Sequence, residues 1–125
     1  MSLPVKILVV DDEPDICYFL TDNFSRRGFT TSFANTIGEA EKKLEAEPPD
    51  ILLLDNHLPD GKGVDLLGSI KTKYPDMKVV MITAHDSSSD RQKAYNNDID
   101  FFLSKPFTMT GVNHVVDIIL KEKQG

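Results

Sequence analysis

At 125 residues the chain is sized for one domain with a core of its own. Its 40% hydrophobic and 27% charged residues make an ordinary globular composition, and 20 acidic against 14 basic residues give a net charge of −6. That balance argues against a nucleic-acid surface, which needs a basic patch, and no apolar run is long enough to span a bilayer. The lone cysteine, Cys17, excludes an internal disulfide; its spacing from Ile16, Phe19 and Leu20 predicts a packing role. No positively charged, apolar leader opens the sequence, so a cytoplasmic protein is expected, and residues 1–3 are read as an addition to the domain.

Residues 5–10 form the first predicted strand, ending on Asp11-Asp12-Glu13. Pro14 follows at a typical first helical position, with Asp12 or Glu13 as cap; Ile16, Phe19, Leu20 and Phe24 mark the helix's buried side, and Gly28 stops it. Residues 29–34 are a weaker, more polar strand, as expected at a sheet edge. Thr36 can cap a second helix, with Ile37, Ala40 and Leu44 inward and Glu39, Glu41, Lys42 and Lys43 in solvent. Pro48-Pro49 ends that helix.

Ile51-Leu52-Leu53-Leu54 is a continuous apolar run bounded by turn formers, the pattern of a strand buried on both faces of a parallel sheet. It stops on Asp55 and breaks into a loop carrying Pro59, Gly61 and Gly63. Leu66, Leu67, Ile70 and Tyr74 describe a third helix closed by Pro75, and residues 78–82 a fourth strand ending on Thr83-Ala84-His85. Residues 87–97 look helical but hold little apolar surface beyond Ala94 and Tyr95. Residues 101–103 are a short last strand, followed by Ser104-Lys105-Pro106-Phe107. The final helix carries Val112, Val115, Val116, Ile119 and Leu120, with Thr108 or Thr110 as cap. Five strands alternating with five helices predict a doubly wound parallel sheet covered on both faces.

In such a sheet the carboxyl ends of the strands converge on one crevice. Here those ends carry Asp11 and Asp12, Asp55, Thr83 and Lys105. Asp55 is placed to be a nucleophile, a metal ligand or a loop cap; Asp11 and Asp12 could cap the first helix, but two carboxylates exceed what a cap requires. Three carboxylates in one place raise one another's pKa unless cations neutralise them. Lys105 offers one positive charge, and a hard divalent ion, Mg²⁺ above all, would offer the rest. Asp55 would then face a phosphoryl group held by metal, ammonium and hydroxyl, and phosphoryl transfer asks mainly for such positioning and charge neutralisation.

Ile7-Leu8-Val9-Val10-Asp11-Asp12-Glu13, Asp55 with Pro59 and Gly63, Met81-Ile82-Thr83-Ala84 and Lys105-Pro106-Phe107 together resemble the motifs of a response-regulator receiver domain. The likeness covers essentially the whole chain, and the wording of Ile82-Thr83-Ala84-His85 and Leu58-Pro59-Asp60-Gly61 is similar to receivers of the nitrogen-regulator type. It implies a flavodoxin-like α/β fold, five parallel strands in the order 2-1-3-4-5 with five helices, spanning residues 1–125 as a single receiver domain. It implies that Asp55 accepts a phosphoryl group from a histidine kinase or phosphotransfer protein. Asp12, Asp55 and the backbone carbonyl of His57 would bind Mg²⁺ directly and Asp11 through water. Lys105 and Thr83 would contact phosphoryl oxygens, the Lys105-Pro106 bond would be cis, and Phe102 would be an aromatic switch partnered by Thr83. A buried core phenylalanine is the plainer reading of Phe102.

The expected output surface is the fourth helix, fifth strand and fifth helix, whose weakly held fourth helix can shift between two states. Its partners would be an effector domain or target protein, or a second copy in a phosphorylation-dependent homodimer, with neither nucleic acid nor membrane contacted by this domain. Asp98 in place of the usual glycine, Ile99 in place of a small residue and Phe101 in place of a polar one depart from the family pattern on this side. His57 and His85 flank the predicted site, where an imidazole could steer the water that removes the phosphoryl group; two solvated loop residues are the plainer reading. His114 is assigned no role. On this reading the domain promotes only its own phosphorylation and dephosphorylation and is no enzyme in the ordinary sense. The rival readings are an aspartate-nucleophile phosphohydrolase, which would carry a second Asp where His57 stands, and a docking module indifferent to phosphate.

Overall fold

The computed structural model describes residues 4–84 and 87–124. In chain order the elements are β1 (Lys6–Val10), α1 (Pro14–Arg26), β2 (Thr30–Ala34), α2 (Ile37–Ala46), β3 (Ile51–Asp55), β4 (His57–Leu58), β5 (Gly61–Lys62), α3 (Val64–Lys73), β6 (Lys78–Thr83), α4 (Ser88–Asn96), β7 (Phe101–Ser104) and α5 (Met109–Gln124). Five strands form one parallel sheet in the order β2-β1-β3-β6-β7. This is the predicted 2-1-3-4-5 arrangement, because β4 and β5 are not part of it. They pair with each other as a two-residue antiparallel hairpin within the stretch after Asp55 expected to be loop.

Alternation along the strands divides the core into two layers. Ile7, Val9, Ile51, Leu53, Val80 and Ile82 face a layer with Cys17, Leu20 and Phe24 of α1 and Val112, Val116 and Ile119 of α5. Leu8, Val10, Leu52, Leu54, Val79 and Met81 face the opposite layer, with Ala40 and Leu44 of α2, Leu67 and Ile70 of α3 and Ala94 of α4. β3, central and buried throughout, explains the uninterrupted apolar run before Asp55. β2 is the polar edge strand expected. No helix among the described residues is long and apolar enough to cross a membrane.

Local signals account for several helix ends. Thr36 Oγ1 accepts a hydrogen bond from Glu39 N at 3.1 Å, and Thr108, rather than Thr110, accepts from Gly111 N at 3.0 Å. Gly28 ends α1 with φ at 93°, a conformation most side chains avoid. Asp98 has φ at 63° and is the one non-glycine residue with positive φ among the described residues.

Two expectations for α1 are corrected. Glu13, not Asp12, holds the cap position, but its side chain makes no cap bond; Asp11 Oδ1 instead accepts from Glu13 N at 2.9 Å. Phe19 is 54% exposed, because the buried stripe runs through Cys17, Leu20 and Phe24 and leaves Phe19 on the flank. Cys17 packs in the core as its spacing suggested.

Candidate functional site

Strand register brings the polar residues level. Val10 pairs with Leu54, Leu54 with Met81 and Met81 with Phe102, so Asp11 and Asp55 emerge together beside Ile82 and Thr83. Thr83 pairs with Ser104, and Lys105 follows directly. Asp11 is 1% exposed, Asp55 is 3% exposed and Thr83 is buried, while Asp12 is exposed.

Carboxylate oxygens of Asp11, Asp12 and Asp55 lie within 4.8 Å of one another. The Lys105 Nζ reaches into this group, 2.9 Å from Asp11 Oδ2, 3.2 Å from Glu13 Oε2 and 3.5 Å from Asp55 Oδ2. The backbone N–H of His57 donates to Asp55 Oδ1 at 3.3 Å. Asn35 Nδ2 donates to the Asp11 carbonyl at 2.9 Å and so fixes the end of β1 from the neighbouring loop. The Lys105-Pro106 bond is cis.

Electrostatics follow from this crowding. Burial, and next the charge of Asp11, push the Asp55 carboxyl from 3.8 up to about 6. Asp11 is also raised, chiefly by burial, against the lowering effect of the Glu13 amide and Lys105. Desolvation works to lower the Lys105 ammonium, but the hydrogen bond to Asp11 and the charges of Asp11 and Asp55 outweigh it and hold its pKa above the ordinary value. One ammonium therefore serves several acids. Asp11 Oδ2, fully buried, takes no hydrogen bond from the described residues beyond that ion pair. An oxygen-only donor set with surplus negative charge and an under-satisfied buried oxygen fits a hard divalent cation such as Mg²⁺.

Gly63 is required by close approach. A Cβ there would sit 2.3 Å from the Asp55 carbonyl oxygen and 2.9 Å from Leu54 Cγ. The loop after β3 thus folds back directly onto the strand end that carries Asp55, and Gly63 N donates to the Asn56 carbonyl at 2.9 Å.

Phe102 stands half-buried on the α4 side, its ring 5.3 Å from that of Tyr95 and 4.8 Å below the Arg91 guanidinium. His57 is exposed, and His85 lies outside the described residues. Sequence reasoning missed Glu13 as a second partner of Lys105, along with Asn35 and Asn56. Asn56 alone left a signal, as a buried polar residue directly after an apolar strand.

The comparisons with known proteins agree with this geometry. The chain is 37% identical over 116 residues, 93% of its length, to the response regulator protein PilR of Pseudomonas aeruginosa. It is 35% identical over 102 residues to the DNA-binding transcriptional regulator NtrC of Proteus hauseri, covering 82% of the chain. It spans only 26% and 22% of the length of those two proteins. Among solved structures, the CheY-like response regulator receiver domain protein of Methanospirillum hungatei JF-1 superposes with a TM-score of 0.90 at 28% identity, covering 98% of this chain and 100% of that one. The family profile described as the response regulator receiver domain matches residues 7–117, and the chain belongs to that family of two-component signalling domains.

Proposed function

We propose that the domain takes a phosphoryl group onto Asp55 from the phosphohistidine of a histidine kinase or phosphotransfer protein, in a Mg²⁺-dependent reaction, and so switches a partner-binding surface. The observation that carries this reading is the buried Asp55 carboxylate, 3.5 Å from the Lys105 ammonium and grouped with Asp11 and Asp12. Asp12, Asp55 and the His57 carbonyl would hold the ion directly, with Asp11 acting through water. When bound, Mg²⁺ supplies the positive charge that lets carboxylate and phosphoryl oxygens approach each other.

The chain's own residues do the rest. A carboxylate oxygen of Asp55 forms the new O–P bond while the P–N bond of the donor breaks, its electron pair returning to the imidazole. Lys105 neutralises one phosphoryl oxygen, and the Thr83 hydroxyl donates to another. Thr83, drawn to the phosphoryl group, and Phe102, released from Tyr95 and Arg91, would together shift α4 in a two-state equilibrium. Catalysis is confined to the domain's own phosphorylation and dephosphorylation.

A donor must reach Asp55 from outside. Beside Lys105 lies an open hollow of about 430 Å³, lined by Ile16, Phe19, Ala84, Pro106 and Phe107, which suits the apolar flank of a kinase helix. The output face would be α4, β7 and α5, engaging an effector domain, a target protein or a second copy. The acidic balance favours protein over nucleic acid as the direct partner, in the cytoplasm.

Incubation with acetyl phosphate and Mg²⁺, followed by intact mass measurement, tests the reading. One added phosphoryl group is expected, absent after chelation and absent from Asp55→Asn. Equal labelling of Asp55→Asn would refute it. No labelling at all would favour a phosphate-independent docking module, and turnover of small phosphate monoesters would favour a hydrolase.

A further inference from the structure

α4 is poorly anchored by apolar contact. Ala94 is its one buried apolar residue, and Tyr95 is exposed. Its other buried residue is an acid, Asp90, in the first turn and only 9% exposed. Burial of a carboxylate demands partners. Asp90 Oδ2 accepts from Asn56 Nδ2 at 3.0 Å, and Lys62 Nζ lies 3.1 Å from Oδ2 and 3.3 Å from Oδ1. Desolvation pushes the Asp90 carboxyl up, but the hydrogen bonds from Lys62 and Asn56 outweigh it and hold the pKa below its usual value. Asp90 is therefore an acceptor with full charge at neutral pH.

Both partners are neighbours of His57. Asn56 precedes it in the chain, and Lys62 is its cross-strand partner in the β4–β5 hairpin. Asn56 is itself immobilised: it is 1% exposed, its Oδ1 accepts from Val64 N at 3.0 Å and its carbonyl accepts from Gly63 N at 2.9 Å. The first turn of α4 thus grips the base of the hairpin on both sides of His57. Movement of that turn would remove two of the side-chain contacts that brace the hairpin, those of Asn56 Nδ2 and Lys62 Nζ.

We propose that Asp90 is a positioning residue: through Asn56 and Lys62 it holds the His57 backbone where its carbonyl can serve the metal, so that docking of α4 and Mg²⁺ affinity are one coupled quantity. The proposal rests on the reading of Asp55 and His57 given above. By linkage, a partner that holds α4 in this position tightens metal binding by the same factor that metal tightens the partner.

The test is a Mg²⁺ titration of the whole chain, initially metal-free, followed through the backbone amide signals of Asp55 and Gly63. Outer partners of a metal ligand typically cost 10–100-fold in affinity, and Asp90 acts one bond further out, so Asp90→Ala should weaken Mg²⁺ by about 3–10-fold. Asp90→Asn keeps an oxygen to accept from Asn56 and should stay within about twofold of wild type. Lys62→Met is decisive. Removal of a positive charge would tighten Mg²⁺ if bulk electrostatics ruled, whereas loss of the grip weakens it. Wild-type affinity in a folded Asp90→Ala, or tighter binding by Lys62→Met, overturns the proposal; should Asp90→Ala fail to fold, Lys62→Met decides alone. Absence of any Mg²⁺ response in the wild type would overturn the metal reading as well, so the two failures are distinguishable.

Discussion

Replacement of Asp55 by asparagine should stabilise the metal-free domain at neutral pH and leave it unchanged in acid. Asparagine keeps the shape of the carboxyl but carries no charge into a site where burial and Asp11 disfavour charge. The Asp55 carboxyl lies at about 6 in the folded state against 3.8 as an ordinary carboxyl. A group raised on folding binds more protons in the native state than in the unfolded one between those two values. Stability therefore falls as pH rises through that window, by roughly 3 kcal/mol once it is crossed. Asp55→Asn escapes that loss. In chelator, urea unfolding should show the variant more stable than wild type by about 2–3 kcal/mol at pH 7.5, worth roughly 10 °C in melting temperature, and within about 0.5 kcal/mol at pH 4. Added Mg²⁺ should narrow the gap at pH 7.5, because it stabilises only the form that binds it. A gap that is the same at both pH values, or a variant less stable than wild type at pH 7.5, would refute the picture of a strained buried charge.

Three further outcomes are expected. Gly63→Ala should cost at least about 2 kcal/mol by denaturant unfolding and lower phosphorylation by acetyl phosphate, since its methyl group would meet the Asp55 carbonyl at 2.3 Å. Lys105→Met should cost about 3 kcal/mol by urea unfolding at pH 7.5 in chelator, by leaving Asp11 Oδ2 without its ion pair, and the cost should shrink as the pH falls, because burial raises the pKa of Asp11 and eases its protonation. Asp98→Gly should raise stability by about 0.5 kcal/mol in the same assay, because glycine holds a φ of 63° without strain.

The order of elements and the burial of β3 were legible because strand and helix periodicities are local properties of the chain. So was the convergence of Asp11, Asp12, Asp55 and Lys105, which follows once the strands are parallel and their carboxyl ends level. Periodicity misplaced Phe19, since i, i+3 and i+4 spacing defines a stripe without its edge, and the layer above α1 decides which flank is covered. It was also blind to the polar ties between loops. Asp60 accepts from the Ile37 and Gly38 N–H groups at 2.8 and 3.0 Å, capping a helix more than twenty positions earlier in the chain. Asp90 reaches Asn56 and Lys62 across a comparable stretch of sequence. Such contacts obey no repeat and show themselves only when the loops are in place.

The burial of Cys17 has a practical consequence. Desolvation, and next the charge of Asp11, push its thiol up to about 11, so almost none of it is thiolate at neutral pH. Alkylating reagents should pass the native protein by. A second cysteine engineered onto the exposed side of α4 would then be the sole reactive handle, and its labelling rate would time the helix's departures from the sheet without the native sulfur having to be removed.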